Sequence, residues 1–99
     1  MNKQKVCNLL GLAQRAGKIN SGEEMVVKAI QEQKAKLVFL AHDAAPNLTK
    51  KIQDKSHYYQ VEVVTVFSTL ELSIAVGKSR KVLAVTDAGF TKKRRSLME

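Results

Sequence analysis

One stretch of the sequence, from Ser21 to Ile30, combines a glycine, two carboxylates and a lysine where a loop is predicted to turn into a helix. Ser21 and Glu24 have the S-x-x-E spacing of a capping box, which predicts the start of a helix. Gly22 lies in the predicted first turn, where the lack of a side chain lets a ligand approach free N–H groups. Lys28 follows about one and a half turns later. The alternative interpretation is a well-capped surface helix without a ligand.

A second group of polar residues forms a short basic loop after a predicted helix. Arg80 offers a guanidinium suited to bidentate contacts, and Gly77, Lys78 and Ser79 add amide donors and a further cation for phosphate. The loop also resembles the end of a nucleotide-binding P-loop. The full P-loop pattern requires another glycine where Leu72 stands, and a strand that enters the loop. We therefore exclude nucleotide hydrolysis.

Side chains that could perform catalysis or hold a metal are sparse. His42 and Asp43 follow a predicted strand, but no nucleophile motif accompanies them, and a role in the turn is the simpler interpretation. Of Tyr58 and Tyr59, helical periodicity places one in the core. The single cysteine, Cys7, is expected to fill the core, and there is no spaced Cys/His cluster for zinc. We expect neither an enzyme nor a protein that requires a metal or cofactor.

The balance of charge narrows the class of partner. The 99 residues include 17 Lys and Arg against 9 Asp and Glu, a formal net charge of +8, and 44% of them are hydrophobic. This composition predicts one folded domain over residues 1–99 that attracts polyanions, either nucleic acid or an anionic membrane surface. No apolar run has the length of a spanning helix or of the apolar part of a signal peptide. We expect no membrane partner and a cytoplasmic location.

Hydrophobic periodicity predicts helices that alternate with strands. Helices are expected at residues 3–16, 22–33, 46–59, 68–77 and 88–98. Interior strands are expected at 37–41, 61–67 and 82–85, and a short edge strand at 18–20. The last helix carries the basic run Lys92–Arg95, which either attracts phosphate or is a solvated helix end. Short loops between these elements predict a helix–sheet–helix sandwich.

Several segments together resemble, in order and spacing, the ribosomal-protein family of kink-turn RNA binders. Archaeal large-subunit protein seven-Ae and eukaryotic large-subunit protein thirty belong to that family. The matching residues are Gly22, Lys28-Ala29-Ile30, Ala35-Lys36-Leu37-Val38, Ala41, Asp43, Pro46, Glu71-Leu72, Ala75, Gly77 and Ser79-Arg80. The likeness covers about residues 13–90 and is greatest to the small bacterial YlxQ-type branch. It implies an α/β fold, a three-layer α/β/α sandwich with a mixed sheet of about four strands.

The resemblance also implies where RNA binds. In the family, the helix after the first glycine and the loop after the second lie side by side and grip a sharply bent RNA. An Asn-Glu pair and a lysine on the helix read sheared G·A pairs, and the loop holds an extruded nucleotide. Carried over by position, the implied RNA-binding residues are Gly22, Glu24, Met25, Lys28, Gly77, Lys78, Ser79 and Arg80.

Two of these positions depart from the family pattern. The Asn-Glu pair falls on Glu24 and Met25. A carboxylate cannot donate a hydrogen bond as an amide does, and methionine is a poor donor and acceptor. The resemblance implies a non-enzymatic partner of structured RNA, either rRNA or another kink-turn RNA, with ribosomal proteins as further partners. The alternative is a protein-interaction module of the translation or transcription apparatus that kept the fold and lost kink-turn recognition.

Overall fold

The computed structural model describes residues 2–89, in which four helices alternate with four short strands. They are α1 (Lys3–Arg15), β1 (Ile19–Ser21), α2 (Glu23–Gln31), β2 (Leu37–Leu40), α3 (Pro46–Tyr58), β3 (Val63–Val64), α4 (Thr69–Val76) and β4 (Val82–Val85). The predicted order of elements is confirmed over this range. Apart from Ala88 and Gly89, the predicted helix at 88–98 lies outside the described residues, and so does the run Lys92–Arg95.

The strands form one mixed sheet in the order β1-β4-β2-β3. β4 is antiparallel to both β1 and β2, whereas β2 and β3 are parallel. The edge position of β1 was predicted from the sequence. The prediction of an interior strand at 61–67 is wrong, because β4 inserts between β1 and β2 and leaves β3 at the other edge. In that segment, the register partners of β2 are Val63 and Val64.

Helices cover both faces of the sheet. α1 and α4 pack on one face, where the largest buried side chains are Leu10, Leu37, Phe39, Phe67, Leu72 and Leu83. α2 and α3 pack on the other face, around Val26, Ile30, Val38, Leu40 and Ile52. All residues of β2 and β4 are buried, as expected for strands covered on both sides. The predicted three-layer α/β/α sandwich is confirmed.

The two S-x-x-E segments of the chain fold differently. At the start of α4, the Ser68 N–H donates to Glu71 Oε1 at 2.8 Å, and the Glu71 N–H donates to Ser68 Oγ at 3.1 Å. This capping box was predicted and is confirmed. The one predicted at Ser21 and Glu24 is wrong. Ser21 is held in β1 opposite Leu83, so the N-cap of α2 is Gly22, and no side chain caps that helix.

The cap of α4 is reinforced from α1. Lys3 Nζ lies 3.0 Å from Glu71 Oε2 and 3.1 Å from Glu71 Oε1, and it is 5.3 Å from the centre of the Phe67 ring. The hydrogen bond from the Ser68 N–H, followed by that from Lys3, lowers the pKa of the Glu71 carboxyl. Cys7 lies half-buried beside this pair, and burial raises the pKa of its thiol.

The lowered pKa of Glu71 predicts a contribution to stability that depends on pH. The folded protein binds fewer protons at this group than the unfolded chain, so the contribution is present at neutral pH. It is lost as the pH falls below about 4.3, the ordinary pKa of glutamate, towards the lower folded-state pKa. Glu71→Gln keeps an acceptor for the cap but removes the titration. In urea unfolding, the parent should exceed the variant in stability at pH 7, and the difference should shrink at pH 3. A difference that is the same at both pH values contradicts this prediction.

Candidate nucleic-acid interface

The pairing of β1 with β4 brings the start of α2 next to the loop between α4 and β4. Ser21, at the end of β1, is the register partner of Leu83. The chain then turns at Gly22, whose N–H donates to the carbonyl oxygen of Val82 at 3.1 Å. These contacts fix the first turn of α2 against the start of β4. Two segments that are far apart in the sequence therefore form one surface.

Gly22 adopts a backbone conformation that suits glycine. Its φ is +90° and its ψ is 157°, a region that residues with a side chain rarely occupy. Its carbonyl oxygen accepts the first helical hydrogen bond, from the Val26 N–H at 3.0 Å. The N–H groups of the first turn have no partner within a helix, and no side chain caps them here. Together with the helix dipole, they favour a negatively charged group at this end of α2.

Arg80 joins the loop to β1. Its Nε donates to Ser21 Oγ at 3.0 Å, across 59 positions of sequence, and its Nη1 donates to the Ser79 carbonyl oxygen at 2.7 Å. The Arg80 N–H donates to Ser73 Oγ at 3.0 Å, and the Ser73 hydroxyl donates to the Arg80 carbonyl oxygen at 3.2 Å. The main chain and the side chain of Arg80 are therefore both held in place. Gly77, with φ of +77°, ends α4 just before this loop.

A groove with a volume of about 460 Å³ lies between α2 and the loop. We call it the α2–β4 groove, and its lining residues are Ser21, Gly22, Glu23, Glu24, Met25, Leu48, Ser79, Arg80, Lys81 and Val82. Five of the residues predicted from the sequence are thereby brought together, namely Gly22, Glu24, Met25, Ser79 and Arg80. Met25 is half exposed, so the groove combines amide, carboxylate, guanidinium and thioether groups.

The other three predicted residues do not line this groove. Lys28 is exposed on α2, one helical turn beyond Glu24. Lys78 is exposed in the loop, and Gly77 lines a different depression, between α1 and α4. Lys28 and Lys78 belong to the same helix and loop as residues that line the groove, and their side chains are long and exposed.

The charges at the groove are partly paired. Glu23 Oε2 lies 2.9 Å from Lys51 Nζ of α3, whereas Glu24 is exposed and has no ion pair among residues 2–89. The free carboxylate of Glu24 can therefore act only as an acceptor in the groove. Arg80 and Lys81 supply positive charge to the same groove.

Sequence reasoning missed several residues of this region. It placed Ser21 in a helix cap, although its hydroxyl accepts a hydrogen bond from Arg80. It did not find Ser73, which binds the loop backbone, or Leu48 and Lys51 of α3. The polar Ser73 within the apolar second half of α4 is a local signal that could have been used. The positions of Leu48 and Lys51 next to α2 depend on the packing of α3 and have no local signal.

A second loop is fixed near the start of α4. Asp43 Oδ1 accepts hydrogen bonds from the Thr69 hydroxyl at 2.7 Å and from the Thr69 N–H at 2.9 Å. These bonds, with the hydroxyl as the larger cause, lower the pKa of the Asp43 carboxyl. The predicted bracing role of Asp43 thus extends from its own turn to the first residue of α4.

The described part of the chain was predicted to hold neither a metal site nor a membrane-spanning helix. Residues 2–89 contain no group of three or more His, Cys, Asp or Glu side chains that could hold a metal ion. Within the same range, none of the helices has the length and apolar character needed to cross a membrane.

The sequence of the chain matches a known protein family. The model of the ribosomal protein L7Ae/L30e/S12e/Gadd45 family matches residues 4–94. The chain belongs to this family. The family resemblance seen in the sequence is therefore confirmed, and the expectation of a non-enzymatic protein agrees with the names of three relatives, two RNA-binding proteins and one ribosomal protein.

Individual members of the L7Ae/L30e/S12e/Gadd45 family align along most of the chain. RNA-binding protein YlxQ of Enterococcus faecium is 49% identical over 98 residues, which are 99% of this chain and 95% of that protein. RNA-binding protein YlxQ of Bacillus subtilis is 49% identical over 92 residues, or 92% of each chain. Large ribosomal subunit protein eL30 of Tetrahymena thermophila is 29% identical over 92 residues, 90% of this chain and 88% of that protein.

Solved structures of similar proteins have the same fold. A Bacillus halodurans protein described as having unknown function is 44% identical, with a TM-score of 0.88 over 95% of this chain and 96% of its own. A 15.5kD RNA binding protein of Giardia lamblia has a TM-score of 0.79 over 95% of this chain and 88% of its own. At 21% identity, the second likeness concerns the fold alone.

Proposed function

We propose that this protein binds a sharply bent RNA of the kink-turn type, as a ribosomal or ribosome-associated protein of the cytoplasm, and catalyses no reaction. Two of its relatives are named RNA-binding proteins and one a ribosomal subunit protein. The net charge of +8 gives the attraction to a polyanion that such binding requires. In this proposal α2 faces base edges in the bent RNA, and the loop after Gly77 contacts its backbone.

The observation that carries the proposal is the attachment of Arg80 to Ser21. Their hydrogen bond of 3.0 Å holds the loop against β1, next to the uncapped first turn of α2. A guanidinium and a set of free N–H groups are thus fixed on two sides of one groove. A preorganised arrangement of this kind suits a rigid, strongly bent RNA better than a flexible strand, because neither partner has to be ordered on binding.

The direct test is an electrophoretic mobility shift of the full chain against a simple kink-turn RNA. The control RNA has its G·A pairs replaced by Watson–Crick pairs. The protein should prefer the intact kink-turn, and its affinity should fall with salt at a log–log slope of roughly −3 to −5 if about four to six phosphates are neutralised. Equal binding of both RNAs contradicts kink-turn recognition. A slope near zero removes RNA as the main partner.

Glu24 offers a sharper test of how α2 meets the RNA. Glu24→Asn removes a negative charge and restores an amide donor, so it should strengthen kink-turn binding and increase the preference for intact G·A pairs. Because Glu24 is not part of a capping box, the change in stability should be limited to the helix-dipole term of about 0.3–1 kcal/mol.

The matched control for this substitution lies at the other end of the same helix. Glu32→Asn removes an equal charge at the C-cap of α2, away from the groove. If both substitutions raise the affinity for both RNAs equally, the effect is one of net charge. Glu24 then does not face base edges.

One feature of the groove favours the alternative function of a protein-interaction module. Met25 is 50% exposed beside the unpaired carboxylate of Glu24, where the family pattern has an Asn-Glu pair. A flexible apolar side chain of this kind is common in protein-binding surfaces. Met25→Ala distinguishes the two functions, because it should leave RNA affinity within about twofold if RNA occupies the groove mainly through polar contacts. If Met25→Ala reduces the amount of ribosomal protein that the chain pulls down more than it reduces RNA affinity, the protein-interaction module is favoured.

A further inference from the structure

One side of α3 leads away from the α2–β4 groove as a stripe of residues. Leu48 lines the groove, and Lys51, Lys55 and Tyr58 follow it at helical intervals of three or four positions, so all four share one face of the helix. We call these four residues the α3 stripe. From its first residue to its last, the helix rises by about 15 Å. The stripe therefore begins in the groove and ends at an aromatic ring.

The ring at the end of the stripe is open to solvent. Tyr58 is 78% exposed, whereas Tyr59 is half-buried and packs against the core between α2, α3 and the sheet. The two rings meet in a T-shaped contact with centroids 4.8 Å apart. The prediction that one of the two tyrosines belongs to the core is thereby confirmed. The other presents an aromatic surface of the kind on which nucleobases stack.

The charges along the stripe favour a polyanion. A shallow cavity of about 520 Å³ is lined by Tyr58 and Tyr59 together with Lys51, Asp54 and Lys55. Its carboxylate, Asp54, is paired with Lys50 at 3.1 Å. Lys55 has no ion pair among residues 2–89. A phosphate next to Tyr58 therefore meets an available ammonium group and a neutralised carboxylate.

We propose that the α3 stripe is a second RNA-binding surface, which takes a single strand that continues from the bent RNA in the α2–β4 groove. This inference rests on the proposed function, since the groove must hold the RNA from which the strand departs. Tyr58 stacks on a base and Lys55 contacts a phosphate. If the strand keeps the stacked spacing of a duplex, about 3.4 Å per nucleotide, the length of about 15 Å accommodates about four nucleotides.

The test compares RNAs with and without a single-stranded extension. Two series of RNAs are needed, one based on a kink-turn duplex and one on a plain duplex. Each RNA in a series carries a single extension of about four adenosines, placed at a different strand end. On the kink-turn, one of these extensions should tighten binding of the full chain by about fivefold or more, the effect of one stacked base. Tyr58→Ala should abolish that gain, and Tyr58→Phe should retain it. Because the side chain of Tyr58 is exposed, neither substitution alters the core.

A charge-matched pair of variants separates the stripe from net charge. Lys55→Ala should reduce the gain from the extension, whereas Lys5→Ala, on the exposed side of α1 across the sheet, should not. If no extension changes the affinity, or if Tyr58→Ala keeps the gain, the inference is overturned. Preference for the kink-turn over the plain duplex measures the proposed function separately. If the extension tightens binding to both duplexes and the protein does not prefer the kink-turn, the stripe is a single-strand site and kink-turn recognition is overturned.

Discussion

Replacing Lys28 with alanine is expected to reduce the preference for an intact kink-turn, with a loss of about 1–3 kcal/mol in binding free energy. Lys28 is exposed on α2, one turn beyond Glu24, and has no ion pair among residues 2–89. An ammonium in this position can reach base edges of an RNA that lies along the groove, so its loss should affect the intact RNA most. The free energy of unfolding should change by less than about 0.5 kcal/mol, because the side chain is on the surface.

Arg80→Ala is the counterpart of this substitution and should behave differently. As a phosphate contact, Arg80 should contribute to both RNAs alike, so the variant should weaken both and reduce the salt slope by about one. Arg80 also positions the loop through its hydrogen bond to Ser21. Ser21→Ala removes that hydrogen bond and leaves the guanidinium, so a smaller loss in Ser21→Ala than in Arg80→Ala assigns the difference to the charge. Mobility shifts at several salt concentrations measure both effects.

The contrary result is equally definite. If Lys28→Ala and Arg80→Ala bind the intact kink-turn as the parent does, the α2–β4 groove does not hold RNA. If alanine substitutions at Lys92–Arg95 abolish binding in the same assay, the RNA is instead contacted by this basic run. A loss of stability in Arg80→Ala, measured by urea unfolding, shows how much of its effect comes from the hydrogen bonds that the Arg80 side chain makes to Ser21 and Ser79.

The sequence predicted the layers of this fold because they depend on local patterns. Apolar residues at helical spacing defined the buried faces of the helices, and runs that are apolar at every position defined β2 and β4. The order of the strands was not local information. The β-branched residues in the segment from Val61 to Phe67 suit an edge strand as well as an interior strand, so composition does not distinguish the two. Its place at the edge follows from the pairing of β4 with both β1 and β2.

The same distinction explains the candidate site. The S-x-x-E pattern occurs at Ser21 and at Ser68, and only the second forms a capping box. The pattern itself does not differ between the two. Ser21 is instead held by a strand partner and by Arg80, both of which are distant in the sequence. The sequence thus predicted five residues that line the groove, but not the hydrogen bond that fixes its shape.

Gly22→Ala is expected to lower both the stability of the protein and its affinity for the kink-turn. The backbone at Gly22, with φ of +90° and ψ of 157°, lies in a region where a residue with a side chain costs about 1–3 kcal/mol. A Cβ at this position would meet no heavy atom within 4 Å, so strain in the backbone is the main cost. Relief of this strain would move the first turn of α2, whose residues line the groove. Urea unfolding and mobility shifts measure the two losses.

Gly17→Ala is the matched control, because it separates strain at a glycine from strain at the groove. Gly17 also has a positive φ, +73°, and open space around a Cβ, but it lies at the other end of β1. Its substitution should lower stability by a similar order while leaving RNA affinity unchanged once the fraction of folded protein is considered. If both variants lose RNA affinity equally, the loss reflects stability alone. If Gly22→Ala loses stability but no affinity, the first turn of α2 does not contact the RNA, and binding depends on the Arg80 side of the groove.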